Sequence, residues 1–190
     1  YLVMEVADRG DLDDRIEKTG RVDELYVLDV GISMCGALEV LRKKKLMHLD
    51  IKPSNIMYNP RTGELKVADF GIARITDDSR TKTGDVLGSP IYMPPEQLKG
   101  QKVTGAADIY ALGVTFYQLL SGEAPFNGDS LANLTYEILH GKHKPVRDLR
   151  ATLPTSATRL TNKALQKNPD KRFVDAFEMA EALQRALATI

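Results

Sequence analysis

The sequence predicts an α+β chain that is predominantly α-helical, with a single short hairpin as its sheet. Three observations carry this. Apolar residues recur at three- and four-residue steps through Leu25, Leu28, Ile32, Cys35, Leu38 and Leu41, the pattern of a helix with one buried stripe. From Ala106 to Leu120 they lie nearly all round the helical wheel, as in a helix with no solvent face. Two short runs, Ile56-Met57-Tyr58 and Leu65-Lys66-Val67-Ala68, bracket the turn-rich Asn59-Pro60-Arg61-Thr62-Gly63 and read as a hairpin.

The remaining elements follow in order. Tyr1-Leu2-Val3-Met4-Glu5-Val6 is a short apolar run with β-branched members, broken by Ala7-Asp8-Arg9-Gly10, and reads as a strand entering a connector. Asp11 to Glu17 is a short helix with Asp11 as its N-cap. The striped helix begins near Val22 and ends in Arg42-Lys43-Lys44-Lys45, a cationic run suited to the negative end of the helix dipole. Ile72 to Met93 has little periodicity and many small polar residues, as surface loops do. Asp108 interrupts the apolar helix; a charge there needs hydrogen bonds to be tolerated. Ser121-Gly122-Glu123-Ala124-Pro125-Phe126 terminates it. Leu131 to Leu139 and Ser156 to Lys167 form two amphipathic helices, joined by a long basic connector around Lys142 to Arg150. Asn168-Pro169-Asp170-Lys171-Arg172 is a turn before a last helix from Val174 to about Ala188.

Composition narrows the function classes. The 190 residues are 43% hydrophobic and 27% charged, enough for one globular domain with a substantial core. Lys and Arg total 26, as do Asp and Glu, so net charge gives no electrostatic case for nucleic acid or a membrane. Cys35, the one cysteine, reads as a small buried hydrophobe in a reducing compartment. No apolar run approaches transmembrane length and no signal peptide opens the chain, so the segment is expected to be cytoplasmic. His140 and His143 stand three apart without a third ligand, and read as a surface pair rather than a metal site.

Chemistry concentrates at His48-Leu49-Asp50-Ile51-Lys52-Pro53-Ser54-Asn55, followed past the hairpin by Asp69-Phe70-Gly71. Asp50, Lys52 and Asn55 put a carboxylate, an ammonium and an amide on one loop, and Asp69 adds a second carboxylate. Phosphoryl transfer needs such a set: a carboxylate to orient a hydroxyl and take its proton, oxygen ligands for Mg²⁺, and a cation near the transferring group. An Asp-Pro-Asn loop that merely caps a strand is the bland alternative. The ordered pair of motifs is far more specific than either string alone.

The first string resembles the catalytic loop H-R-D-x-x-x-x-N of protein kinases, and the second is that family's D-F-G. The resemblance covers nearly the whole chain and looks like the large, C-terminal lobe of a bacterial-type serine/threonine protein kinase. It implies residues 1–10 as the last small-lobe strand and hinge, residues 11–190 as the large lobe, and an activation segment over 69–96. It implies an enzyme that uses ATP and Mg²⁺ to phosphorylate Ser or Thr of a protein substrate, with Asp50, Lys52, Asn55 and Asp69 catalytic and Asn55 and Asp69 holding the metal. Glu5 and Ala7 would meet the adenine through their backbone, Asp11 the ribose, and Met57 and Ala68 would line the adenine pocket, with Met4 as gatekeeper. Asp108 to Gly113 resembles D-x-x-x-x-G, whose Asp holds the catalytic-loop backbone; Arg172 would pair with Glu96. Lys52 and the loop Gly88-Ser89-Pro90-Ile91-Tyr92-Met93 resemble the serine/threonine branch.

The chain departs from the family in four places. Pro94-Pro95-Glu96 stands for A-P-E, where a helix begins and Pro is tolerated. Leu49 replaces the Arg that normally grips a phosphorylated activation loop, so phosphorylation at Thr81 or Thr83 is expected to couple weakly to activity, unless Arg74 or Arg80 substitutes. Ser54 stands where kinases with a taste for basic substrates carry an acid. No glycine-rich loop or V-A-I-K lysine precedes Tyr1, so the small lobe is expected to be missing and the chain inactive alone, with Tyr1–Val6 free to self-associate as an unpaired strand. The rival reading is a non-catalytic, kinase-like binding or scaffold module.

Overall fold

The computed structural model of the chain describes residues 10–69 and 90–188. The strand expected over residues 1–6, the hinge positions Glu5 and Ala7, and the activation-segment residues 70–89 lie outside them.

Helix starts follow local side-chain chemistry. Helix α1 (Leu12–Thr19) is capped by Asp11, whose Oδ1 accepts the Asp14 N–H at 2.9 Å. In α2 (Glu24–Lys43) Asp23 accepts from the N–H groups of Leu25 and Tyr26. Each satisfies a backbone donor that the first helical turn leaves without a partner. The buried stripe of α2, set by its packing against α4 and α8, differs from the expected one: Val27, Leu28, Val30, Met34, Cys35 and Leu38 are buried, whereas Leu25 is 46% exposed. Ile32 and Leu41 lie at the margin of the core.

After α2 the chain turns through Lys45 (φ 58°) into the 48–55 loop. Strands β1 (Ile56–Asn59) and β2 (Glu64–Val67) pair antiparallel, Ile56 with Val67 and Asn59 with Glu64. The turn closes with the Gly63 N–H donating to the Asn59 carbonyl at 2.8 Å. Pro94 and Pro95 open the short helix α3 (Pro95–Leu98), Pro95 at its first position.

The apolar segment forms α4 (Ala106–Ser121), buried from Ala107 through Tyr117 and again at Leu119 and Leu120. It is the axle of the lobe, packed against α1, α2, α6 and α7. Gly122 ends it in the left-handed region (φ 79°); a side chain there would also strike the Gly20 carbonyl. Helix α5 (Leu131–His140) is capped by Ser130. The expected basic connector contains an unforeseen turn, α6 (Val146–Leu149), anchored by buried Val146. Helix α7 (Thr155–Ala164) ends three residues before the expected Lys167. Tertiary partners take its last turn: the carbonyls of Gln166 and Lys167 accept from the Arg172 guanidinium, and the Lys167 ammonium donates to the Glu137 and Ile138 carbonyls of α5. Helix α8 (Ala176–Leu187) starts two residues late because Asp175 is its cap, accepting the Glu178 N–H at 2.9 Å. It lies along α2.

No helix among the described residues is long and apolar enough to cross a membrane, and none of their His, Cys, Asp and Glu groups forms a metal-binding cluster of three or more. His143 is not a surface residue: it is half-buried, edge-on to Tyr117 and Phe126 with ring centroids 5.6 and 6.0 Å away. His140 is exposed.

Candidate active site

The 48–55 loop is hung from α4 by one carboxylate. Asp108 is 4% exposed; its Oδ2 accepts the His48 N–H at 2.9 Å and its Oδ1 the Leu49 N–H at 2.8 Å. Burial raises its pKa, and those two bonds oppose the rise. They also hold Leu49 at φ 63°, a left-handed conformation that costs a non-glycine residue roughly 1–2 kcal/mol. The strained residue immediately precedes Asp50, so Asp108 sets the direction in which Asp50 leaves the backbone.

His48 supplies a second tie. It is 1% exposed, and burial lowers its pKa, against the charges of Asp108, Asp50 and Asp69. The neutral ring then has one donor and one acceptor. Its Nε2 lies 3.1 Å from the Ala68 carbonyl, which can only accept, and its Nδ1 takes the Asp50 N–H at 3.3 Å. The tautomer is therefore Nε2–H. This imidazole links the loop that carries Asp50 to the residue before Asp69. The Ala68 N–H in turn donates to the Asn55 carbonyl at 2.9 Å, extending the hairpin ladder by one bond. Asp69 follows directly, exposed and at φ 52°, a conformation that Asp tolerates better than most residues.

Three of the four expected catalytic side chains meet. The Lys52 ammonium is 2.9 Å from Asp50 Oδ2. The Asn55 side-chain nitrogen donates to the same Oδ2 and to the Asp50 carbonyl, both at 2.9 Å. Those acceptors fix the amide: nitrogen faces Asp50, so Oδ1 is the end left to bind a cation. Asp69 is joined to the group through Ala68 and through its field at His48. Oxygen from an amide and a carboxylate is the donor set Mg²⁺ takes, usually with waters and phosphate completing an octahedron, so the residues fit that ion.

Of the expected nucleotide contacts, Asp11 has its carboxylate engaged as the α1 cap. Met57 is half-buried on β1, opposite Lys66. Ala68 is half-buried, with both backbone groups in the ties above. The expected pair of Glu96 and Arg172 is present, bidentate at 2.7 Å for both contacts, with both residues buried. Sequence reasoning gave His48 no role; its place at the head of the loop motif was the available signal. The anchoring of α5 by Lys167 had none.

Residues 1–186 match the protein kinase domain family. The chain is 38% identical over 184 residues to a serine/threonine-protein kinase of Corynebacterium efficiens, covering 96% of this chain and 35% of that protein. It is 35% identical to a probable serine/threonine-protein kinase of Clostridium perfringens, over 97% of this chain and 27% of that one. Against the serine/threonine-protein kinase PknB of Mycobacterium leprae it is likewise 35% identical, over 97% of this chain and 30% of the relative. The chain thus spans about a third of the length of these relatives. With the predominantly helical lobe and the one hairpin among its described residues, these likenesses establish that the chain belongs to the protein kinase family, on its bacterial-type serine/threonine branch.

Proposed function

We propose that this chain carries the catalytic loop of an ATP- and Mg²⁺-dependent protein serine/threonine kinase. The observation that carries the reading is the convergence of Lys52 and Asn55 on one oxygen of Asp50. With Oδ2 so engaged, Oδ1 is the oxygen that receives a Ser or Thr hydroxyl and takes its proton as the oxygen attacks phosphorus. A base so placed contributes about 10²–10⁴-fold. The Lys52 ammonium, already beside Asp50, offsets negative charge on the transferring group. Asn55 Oδ1 and the Asp69 carboxylate hold the cation, and the His48 and Ala68 ties keep the two ligands in register. Mg²⁺-ATP supplies the γ-phosphoryl group and its charge neutralisation. Met57 and Ala68 offer apolar contact to the adenine, backbone groups of Glu5 and Ala7 its hydrogen-bonding edge, and Asp11 stands toward the ribose.

The test is transfer of labelled phosphate from Mg²⁺-ATP to a generic protein substrate, using the full-length protein that carries this chain, with and without Asp50→Asn. A loss of at least about 10²-fold with nucleotide binding intact supports the proton-acceptor role. An unchanged rate would overturn it and favour a non-catalytic binding module.

A further inference from the structure

Helices α7 and α8 leave a cleft of about 360 Å³ between them, and none of Asp50, Lys52, Asn55 and Asp69 lines it. Its size is that of a small-molecule site. The room comes from small side chains: Ala182 and Ala186 stand four apart on α8, so on one face of the helix, and offer only methyl groups toward Leu160 of α7. Phe173, from the turn before α8, completes the apolar wall. The two helices run antiparallel here. Lys163, late in α7, pairs with Glu178, early in α8, while Ser156, early in α7, shares a smaller cavity with Ala186, late in α8. Arg159 and Arg185, both exposed, therefore stand at one end of the cleft.

Four charged side chains line this cleft: Arg159, Lys163, Arg185 and Glu178. Glu178 is closed, accepting from the Lys163 ammonium and from the Val174 N–H at 2.7 Å. Lys163 also lies 4.5 Å from the Phe173 ring centroid. Arg185 is 3.7 Å from Glu181, which does not line the cleft. Arg159 has no anionic partner among the described residues. With Lys163 matched by Glu178 and Arg185 by Glu181, Arg159 leaves one positive charge in surplus. We propose that this cleft binds a small monocarboxylic acid with an apolar body: the body lies on Leu160, Phe173 and Ala182, and the carboxylate meets the guanidinium groups of Arg159 and Arg185. A planar guanidinium pairs with a carboxylate through two parallel hydrogen bonds. A phosphate monoester fits less well, because its second charge finds no free cation and faces Glu178. The volume holds about a dozen non-hydrogen atoms at the space a water takes in the liquid, which suits a small molecule rather than an extended peptide. The proposal does not depend on phosphotransfer.

The experiment is ligand-observed saturation-transfer NMR, with 4-phenylbutanoate titrated into the full-length protein that carries this chain. The neutral analogue 4-phenylbutanol, phenyl phosphate and a peptide ending in a free Phe carboxylate are titrated in parallel. Saturable binding of the acid is expected, with Kd on the order of 1 mM. Arg159→Gln with Arg185→Gln should weaken it about tenfold, and Ala182→Leu, which fills the cleft, about tenfold or more. Circular dichroism of the variants checks that the fold persists. Saturating Mg²⁺-ATP should leave the binding in place, which separates this cleft from the nucleotide site and its failure from that of the phosphotransfer reading. Absence of saturable binding, equal binding of the alcohol, indifference to the substitutions, or displacement by Mg²⁺-ATP would each overturn the proposal. So would tighter capture of phenyl phosphate or of the peptide.

Discussion

Asp108 is a buried carboxylate that holds two N–H groups of another element, and this makes it the most consequential single atom group outside the reacting set. Asp108→Asn keeps the shape but turns an –NH₂ toward one of those donors. An unsatisfied buried donor costs about 1–3 kcal/mol, so the urea midpoint should fall. Phosphotransfer in the full-length protein should fall further than stability alone explains, because Leu49 is released from its strained conformation. At His48 and His143, burial holds both pKa values below the ordinary 6.5. The unfolded chain then binds more protons than the folded one as pH drops past that value, so each imidazole removes stability on acidification. Asp108, raised by burial from 3.8, acts in the opposite sense over its own window. Comparing urea midpoints of the parent and His143→Leu between about pH 7.5 and 5.5 isolates one share: the variant should lose less on acidification. Equal slopes would show that His143 stays neutral in both states or charges equally in both.

At the scale of elements, caps decide where helices begin, and close approaches decide how they pack. A Cβ on Gly113 would sit 2.6 Å from the Ala164 Cβ, so α4 and α7 touch through a position that admits no side chain. Gly113→Ala should force them apart and cost about 1–3 kcal/mol, read as a lowered Tm. Helix α5 depends on a distant cation: Lys167 donates to the Glu137 and Ile138 carbonyls and lies 3.6 Å from the Phe126 ring centroid, although burial lowers its pKa to about 8. Lys167→Met keeps the aliphatic stem but strips the helix end of its donors. Amide exchange in the last turn of α5 should quicken about fivefold or more, consistent with a loss near 1 kcal/mol; unchanged exchange would assign the end of α5 to its own packing. The starts of α1 and α5 were legible, with Asp11 capping α1 and α5 opening at Leu131 as expected, whereas α2 and α8 each begin two residues later than expected, after the caps Asp23 and Asp175. The early end of α7 was not legible, because its carbonyls are drawn off by Arg172, on another segment.

Across the whole molecule, the pair of Arg172 and Glu96 joins α3, the start of α4 and the turn before α8. Arg172 also donates to the Ala106 and Gln166 carbonyls. Glu96→Ala would leave that guanidinium buried without its anion, a loss of about 3–5 kcal/mol. The thermal transition should shift strongly and as one step, since the pair joins three segments of one core. A small shift would mean that water reaches Arg172.

The amino-acid sequence by itself determined the helical character of the lobe, the hairpin, and the identity of the polar residues on the 48–55 loop, because periodicity, caps and turns are local. It also marked Asp108 as a charge in an apolar helix. Only the tertiary structure decided which oxygens those residues share: Lys52 and Asn55 on one oxygen of Asp50, His48 reaching Ala68, and Asp108 gripping a loop about sixty residues away. Hydrogen bonds depend on distances of tenths of an ångström, and spacing along a chain carries none of that information between separate elements.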